Sequence, residues 1–281
     1  MTPPLPAQST IAIASALRDA ASRGADRLDA HMLLLHALGR TPHDRAWLLA
    51  HDADPLDAQT QARFEAALHR RLQGEPLAYI TGQQEFYGLD LQVDARVLCP
   101  RADTETLVDW ALQLLPPAAQ VVDLGTGSGA IALAIQHQRS DAQVHARDIS
   151  ADALEVAQAN ARRLGLKVVF SQGAWLQGLD GPWDAIVSNP PYIAAADPHL
   201  AALFHEPLQA LASGADGLDD LRTIIGQSCE RLKPGGWLLL EHGYDQADAV
   251  CALLRSAGIA EVQSRHDLAG IARCSGGRRP S

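Results

Sequence analysis

Through the first 76 residues, apolar positions recur at helical spacing and nowhere alternate as a strand requires. Ile11 to Ser22 is Ala-rich and periodic. Asp29 to Leu38 continues the pattern, with Leu28, Met32, Leu35 and Leu38 predicted on one face. Thr41-Pro42 breaks it. Arg45 to Ala50 and Ala58 to Leu72 complete a small helical bundle, which Gly74-Glu75-Pro76 closes.

The texture then changes. Tyr79 to Val97 alternates around turn signals at Gly82 and Gly88-Leu89-Asp90, which predicts a β-hairpin. Cys99 to Glu105 reads as a loop running into a helix, with Thr104 as N-cap and Leu107, Val108, Ala111 and Leu114 on the inner face. From Gln120 strands and helices alternate. Strands are predicted at 121–124, 143–146, 167–171, 183–188 and 237–241. Helices are predicted at 131–138, 151–164 and 218–232. This order implies an α/β fold, a mostly parallel sheet with helices on both faces. Residues 258–274 suggest an antiparallel edge hairpin, and Gly276 to Ser281 a mobile end. The domain reading is therefore 1–76 helical, 77–98 hairpin linker and 99–281 the α/β domain.

Composition narrows the class. An apolar fraction of 47% in 281 residues supports a sizeable core, and no window reaches the ~18 apolar residues of a membrane span. Met1 to Ser9 carries neither a basic region nor an apolar signal core, so a cytoplasmic protein with no membrane association is expected. Cys99, Cys229, Cys251 and Cys274 are far apart and read as reduced core residues. His31, His36, His43, His51 and His69 are scattered, without metal-site spacing, so no metal is expected. A net charge of -10 argues against stable nucleic-acid binding, which needs a basic surface. It suits solubility or a basic protein partner.

Two motifs carry chemistry. Asn189-Pro190-Pro191-Tyr192 follows the apolar strand Ala185-Ile186-Val187. The prolines end the strand and present carbonyls without competing N–H groups. Asn189 adds one acceptor and two donors, and Tyr192 a flat ring, so a planar NH₂ group can be gripped there. The plainer reading is an ordinary Pro-Pro loop.

Gly125-Thr126-Gly127-Ser128-Gly129 follows the first strand and opens a helix, where a backbone can approach a ligand closely. With Ala130 it also satisfies the dinucleotide pattern. Asp148, at the end of the second strand, can accept both hydroxyls of a ribose. Asp123, beneath the loop, would repel a pyrophosphate and attract an ammonium group, as S-adenosylmethionine carries. Alternatively it satisfies helix N-terminal donors. Trp175 sits where a loop would cross an adenine, or else simply packs on the sheet.

With these motifs and Tyr79-Ile80-Thr81-Gly82, Glu85-Phe86-Tyr87-Gly88, Cys99 to Glu105 and Glu241-His242-Gly243, nearly the whole chain resembles the NPPY-type, Rossmann-like methyltransferases. Within them it is similar to the release factor glutamine methyltransferases, once called HemK. The resemblance implies S-adenosyl-L-methionine as methyl donor and release factors, with their Gly-Gly-Gln motif, as protein partners. It implies that Gly125, Thr126, Gly127, Ser128 and Gly129 cradle the methionine part, Asp148 the ribose and Trp175 the adenine, with Asn189 beside them. Asn189, Pro190, Pro191 and Tyr192 would hold the glutamine, with Asn189, Pro190 and Tyr192 catalytic. The helical domain would help dock the release factor, and a monomer is expected.

Three positions depart from the family pattern. Ala174 stands where an acid often precedes Trp175. Asp197 to Pro207 is about two residues short and lacks an acidic-basic stretch. Arg147 replaces a small or apolar residue.

An amide nitrogen is a poor nucleophile because its lone pair is delocalised. The Asn189 oxygen and the Pro190 carbonyl would each accept an N–H and aim that lone pair at the methyl group. His242 reads as a structural hydrogen-bonding residue rather than a base. Alternatives are a glutamine of a ribosomal protein, an exocyclic base amine in nucleic acid, a nicotinamide-dependent oxidoreductase sharing the glycine loop, and, furthest from the motifs, a non-catalytic interaction protein.

Overall fold

In the computed structural model, which describes residues 11–281, the N-terminal periodicity becomes Ile13–Ser22 (α1), Arg27–Ala37 (α2), Arg45–Ala50 (α3), Ala58–Leu72 (α4) and Leu77–Thr81 (α5). The reading of residues 1–9 as lacking a secretion signal falls outside the described residues. Asp26 caps α2 by accepting from Leu28 and Asp29 N–H, and Asp57 caps α4 through Thr60 N–H. Arg71 of α4 pairs with Asp29 of α2 at 2.6 Å.

The face of α2 differs from the expected one. Ala30, Leu33, Leu34, Leu35 and Ala37 are buried, whereas Leu28 is exposed. This helix is apolar around much of its circumference, so its packing against α1 and α4 decides the face and periodicity alone does not.

Contacts divide the chain at Gly82 into two units. The predicted hairpin is shorter than its alternation suggests. Gln83–Phe86 (β1) pairs with Leu89–Gln92 (β2), while Tyr79 and Ile80 lie in α5, which Gly82 ends in the left-handed conformation.

A 3₁₀ turn at Ala102–Thr104 leads into Glu105–Leu114 (α6). The α/β region follows as Gln120–Leu124 (β3), Ala130–Gln138 (α7), Gln143–Asp148 (β4), Ala151–Leu164 (α8), Val168–Gln172 (β5) and Trp183–Ser188 (β6). It continues with Asp219–Ser228 (α9), Leu232–Glu241 (β7), Ala247–Ser256 (α10), Ala260–His266 (β8) and Ala272–Arg278 (β9). The sheet order is β5-β4-β3-β6-β7-β9-β8, parallel through β7, with β9 antiparallel to both its neighbours.

Helices cover both faces of this mixed sheet. Val122, Leu124, Ile186, Leu238 and Leu240 face Leu221, Ile224 and Ile225 of α9 and Val250 and Leu254 of α10. Strand alternation sends their neighbours Val121, Val187 and Leu239 to the opposite side, where α6 and α7 pack.

Two expectations are corrected here. The helix α10 was not predicted, although Val250, Cys251 and Leu254 are buried at helical spacing. Gly276 to Arg278 are not a loose end, because they belong to β9 and pair with β7.

Candidate active site

The strand order reverses at β3, with β4 on one side and β6 on the other. Open α/β sheets bind ligands at such a point, beyond the carboxyl ends of the strands. Leu124 of β3 is paired with Ser188 of β6, and Ser188 Oγ donates to the Leu124 carbonyl at 2.7 Å. The next residues are Gly125 and Asn189. The glycine loop and the Asn-Pro-Pro-Tyr turn therefore leave the sheet side by side, although 64 residues separate that hydrogen-bonded pair.

A cavity of about 270 Å³ opens at this place. Gly125, Gly127, Asp148, Trp175, Asn189 and Pro191 all line it. Gly125 has φ +70, a conformation that favours glycine, and a Cβ there would stand in tight contact, 3.2 Å from the Trp175 ring. Gly129, at φ +87, begins α7. Both carboxylate oxygens of Asp148 are oriented by the backbone. Oδ2 accepts from Gly127 N–H and Oδ1 from Ser150 N–H, each at 2.9 Å. Burial raises the Asp148 carboxyl above its ordinary value, against these bonds.

Arg147 has a double role. Its carbonyl accepts from Gly125 and Thr126 N–H at 2.8 and 3.0 Å, which latches the glycine loop to β4. Its buried side chain runs past Gly173, where any Cβ would collide with it, and donates to the Gln177 carbonyl at 2.7 Å. It thereby fastens the loop carrying Ala174 and Trp175. Trp175 packs partly on the core and partly against the cavity.

Other expected residues sit elsewhere. Thr126 and Ser128 are buried and do not line the cavity. Thr126 Oγ1 donates to Asp123 Oδ2 at 2.6 Å, and the Ser128 carbonyl accepts from Asn160. Asp123 is wholly buried, also accepts from Ala132 N–H, and is pushed up to about 7 by burial. Its Oδ2 thus serves the loop and helix start, and its Oδ1 has no partner.

Pro190 is buried, and the Tyr192 carbonyl accepts from Gln246 at 3.0 Å. Burial raises the Tyr192 phenol, as does the nearby Glu241. Asn189 Nδ2 donates to Thr104 Oγ1 at 3.2 Å. Thr104 makes no capping bond, contrary to the sequence reading, and its hydroxyl belongs to this cluster. His242 is buried, with Nδ1 against the Gly243 carbonyl and Nε2 against Ser275 Oγ, both at 2.8 Å.

Sequence reasoning passed over Arg96, Val97 and Leu98, Pro207 and Gln209, and Asp220, all at the cavity. None carries a local motif. The 197–207 segment is anchored by Glu206, which accepts from Cys99 N–H at 3.1 Å and pairs with Arg101. Among the described residues no cluster of three or more His, Cys, Asp or Glu stands placed for a metal ion.

Known proteins share this architecture. The PrmC N-terminal domain model matches residues 11–82, and the methyltransferase small domain model matches residues 104–218. A release factor glutamine methyltransferase of Xylella fastidiosa is 50% identical over 271 residues, covering 94% of this chain and 98% of its own. One of Bordetella pertussis is 51% identical over 263 residues, covering 92% and 96%. A methyltransferase structure from Pyrococcus furiosus superposes with a TM-score of 0.56 at 18% identity, covering 77% of this chain and all of that one.

Proposed function

This chain belongs to the release factor glutamine methyltransferase family, and we propose that its cavity holds S-adenosyl-L-methionine while the Asn189–Tyr192 turn holds the glutamine. The enzyme transfers a methyl group from S-adenosyl-L-methionine to the side-chain amide nitrogen of a glutamine in a release factor.

The observation that carries the site reading is the pairing of Leu124 with Ser188, which sets the glycine loop and the Asn-Pro-Pro-Tyr turn at adjacent strand ends. The residues present fit the donor. Gly125 and Gly127 expose backbone to the cavity, and the Asp148 oxygens keep lone pairs for ribose hydroxyls. When bound, S-adenosyl-L-methionine supplies an electrophilic methyl group on a positively charged sulfur.

The protein's part is orientation. The Asn189 Oδ1 and the Pro190 carbonyl each accept one N–H of the glutamine amide, and the Tyr192 ring packs on its plane. Held so, the nitrogen lone pair is turned out of conjugation and positive charge developing on nitrogen meets fixed dipoles. The nitrogen becomes acidic as it is alkylated, so no strong base is needed beforehand.

The helical unit is assigned the docking of the release factor. The enzyme is read as a cytoplasmic monomer without stable nucleic-acid binding. Its net charge of -10 supports the last point, and no helix among the described residues is long and apolar enough to cross a membrane.

The test is mass spectrometry of purified release factors, ribosomes and nucleic acid, each incubated with enzyme and labelled donor. The expected result is one glutamine of the release factor gaining the mass of CH₂. Label appearing only in ribosomal protein or nucleic acid would overturn the substrate reading.

A further inference from the structure

The Asn-Pro-Pro-Tyr turn is held from both ends by other segments. At its start Ser188 pairs with Leu124 on one side and Leu240 on the other. Within it Pro190 and Pro191 have no N–H, so neither can donate a bond that fixes the turn. Beyond it Ile193 N–H donates to the Leu211 carbonyl and the Ile193 carbonyl accepts from Ser213 N–H, both at 2.9 Å. Ala195 N–H follows, donating to the Gly214 carbonyl at 2.8 Å. Between these anchors the Tyr192 carbonyl accepts from Gln246 Nε2 at 3.0 Å, across 54 residues. Gln246 precedes α10. Its Oε1 accepts from the buried Gly243 N–H at 2.8 Å, and its Nε2 also reaches the Asp216 carbonyl at 3.4 Å. Three backbone groups from three segments thus meet on one amide. Gly217, at φ +75, closes the junction: a Cβ there would collide with the Tyr192 carbonyl and stand 2.8 Å from Gln246 Nε2.

Resting on the site reading above, we propose that Gln246 is a positioning residue that clamps the Tyr192 carbonyl and so fixes the far end of the glutamine-holding turn. Its amide has one workable orientation, because Gly243 N–H can only donate and the Tyr192 and Asp216 carbonyls can only accept. Flipped, it would set oxygen against two carbonyl oxygens and NH₂ against an N–H. The bond within the Gly243–Gln246 turn uses Oε1 alone. Nε2 is free of that duty and reaches outward to the turn and the loop. A held carbonyl restrains rotation of the Tyr192 peptide. That sets the direction of the Tyr192 ring and of the Pro190 carbonyl two residues earlier, both of which face the glutamine in the proposed reaction. The donor's side does not lean on this clamp. The helix α9, which carries Asp220, is anchored by its own buried Leu221, Ile224 and Ile225.

The experiment uses the full-length enzyme with a purified release factor. Gln246→Glu keeps the length and the acceptor for Gly243 N–H, but sets a carboxylate oxygen against the Tyr192 and Asp216 carbonyls. Gln246→Ala removes the clamp altogether. Calorimetric titration with S-adenosyl-L-methionine counts the folded donor sites and gives their Kd. The expected result in both variants is a kcat per donor site that falls roughly ten- to a hundredfold, as for misplaced reacting groups, with the donor Kd unchanged. A role confined to folding would lower the number of donor sites and leave kcat per site at the parent's value. That outcome would overturn the proposal, and so would a donor Kd that weakens as much as kcat falls. If the parent enzyme itself left the release factor unmodified, the site reading would have failed separately. Amide hydrogen exchange would then still decide the clamp. Faster exchange at Ile193, Ala195 and Ser213 in Gln246→Glu supports it, and rates equal to the parent's refute it.

Discussion

The indole N–H of Trp175 donates to Asp220 Oδ1 at 3.1 Å, across 45 residues of sequence. Asp220 lines the cavity beside Ala174, the position where the family pattern has an acid. Breaking this bond releases the ring that lies over Gly125. Asp220→Ala should weaken S-adenosyl-L-methionine binding by about tenfold, the effect of a lost hydrogen bond of roughly 1–1.5 kcal/mol. Calorimetry measures this directly, and an unchanged Kd would show that Trp175 is held by packing alone.

Asn189→Ala removes the acceptor proposed for the glutamine amide. Transfer to a release factor should fall below detection, while donor affinity changes far less. Near-normal turnover in this variant would eliminate the amide-orienting mechanism.

Asp148→Ala acts on the other half of the site. Its oxygens accept from Gly127 and Ser150 N–H and are the acceptors proposed for the ribose, so donor affinity should fall first and most. The expected loss is about 1.5–3 kcal/mol, as for a hydrogen bond to a charged group. A Kd equal to the parent's rules out the ribose role.

Stability should depend on pH through the acids beneath these loops. Burial pushes Asp123 up to about 7 from 3.8, and Glu241 likewise rises to about 7 from 4.5. The folded protein thus holds these protons more tightly than the unfolded chain. Their contribution is complete below about pH 4 and is lost as pH rises through about 7. Denaturant midpoints of the ligand-free enzyme should fall from about pH 5 to about pH 8, by up to a few kcal/mol for each group. Asp123→Asn should flatten that slope. A slope identical to the parent's would mean that Asp123 is already ionised at low pH.

Much of this was readable in the sequence because the chemistry sits where local patterns change. Asn189 and Gly125 each begin directly after an apolar strand, and Asp148 closes the next one. What escaped depends on contacts between distant segments. Thr104 looks like a cap from its neighbours, yet its hydroxyl is taken by Asn189, 85 positions away. Asp220 and Glu206 belong to no local motif, and only the fold brings them to Trp175 and Arg101. Leu28 was misplaced because an apolar helix names no face for itself. The strand at Gly276 and Gly277 was missed because glycines carry no strand propensity. Their lack of side chains instead admits Trp110 and Ile259 against the sheet.

Every residue proposed to hold the donor or the glutamine, from Gly125 to Tyr192, lies in the unit after Gly82. In that reading the distance between methyl donor and acceptor is set by one ladder of strands, where Leu124 neighbours Ser188. If the helical unit does the docking, a lineage could exchange it and acquire a new protein client without retuning the transfer itself.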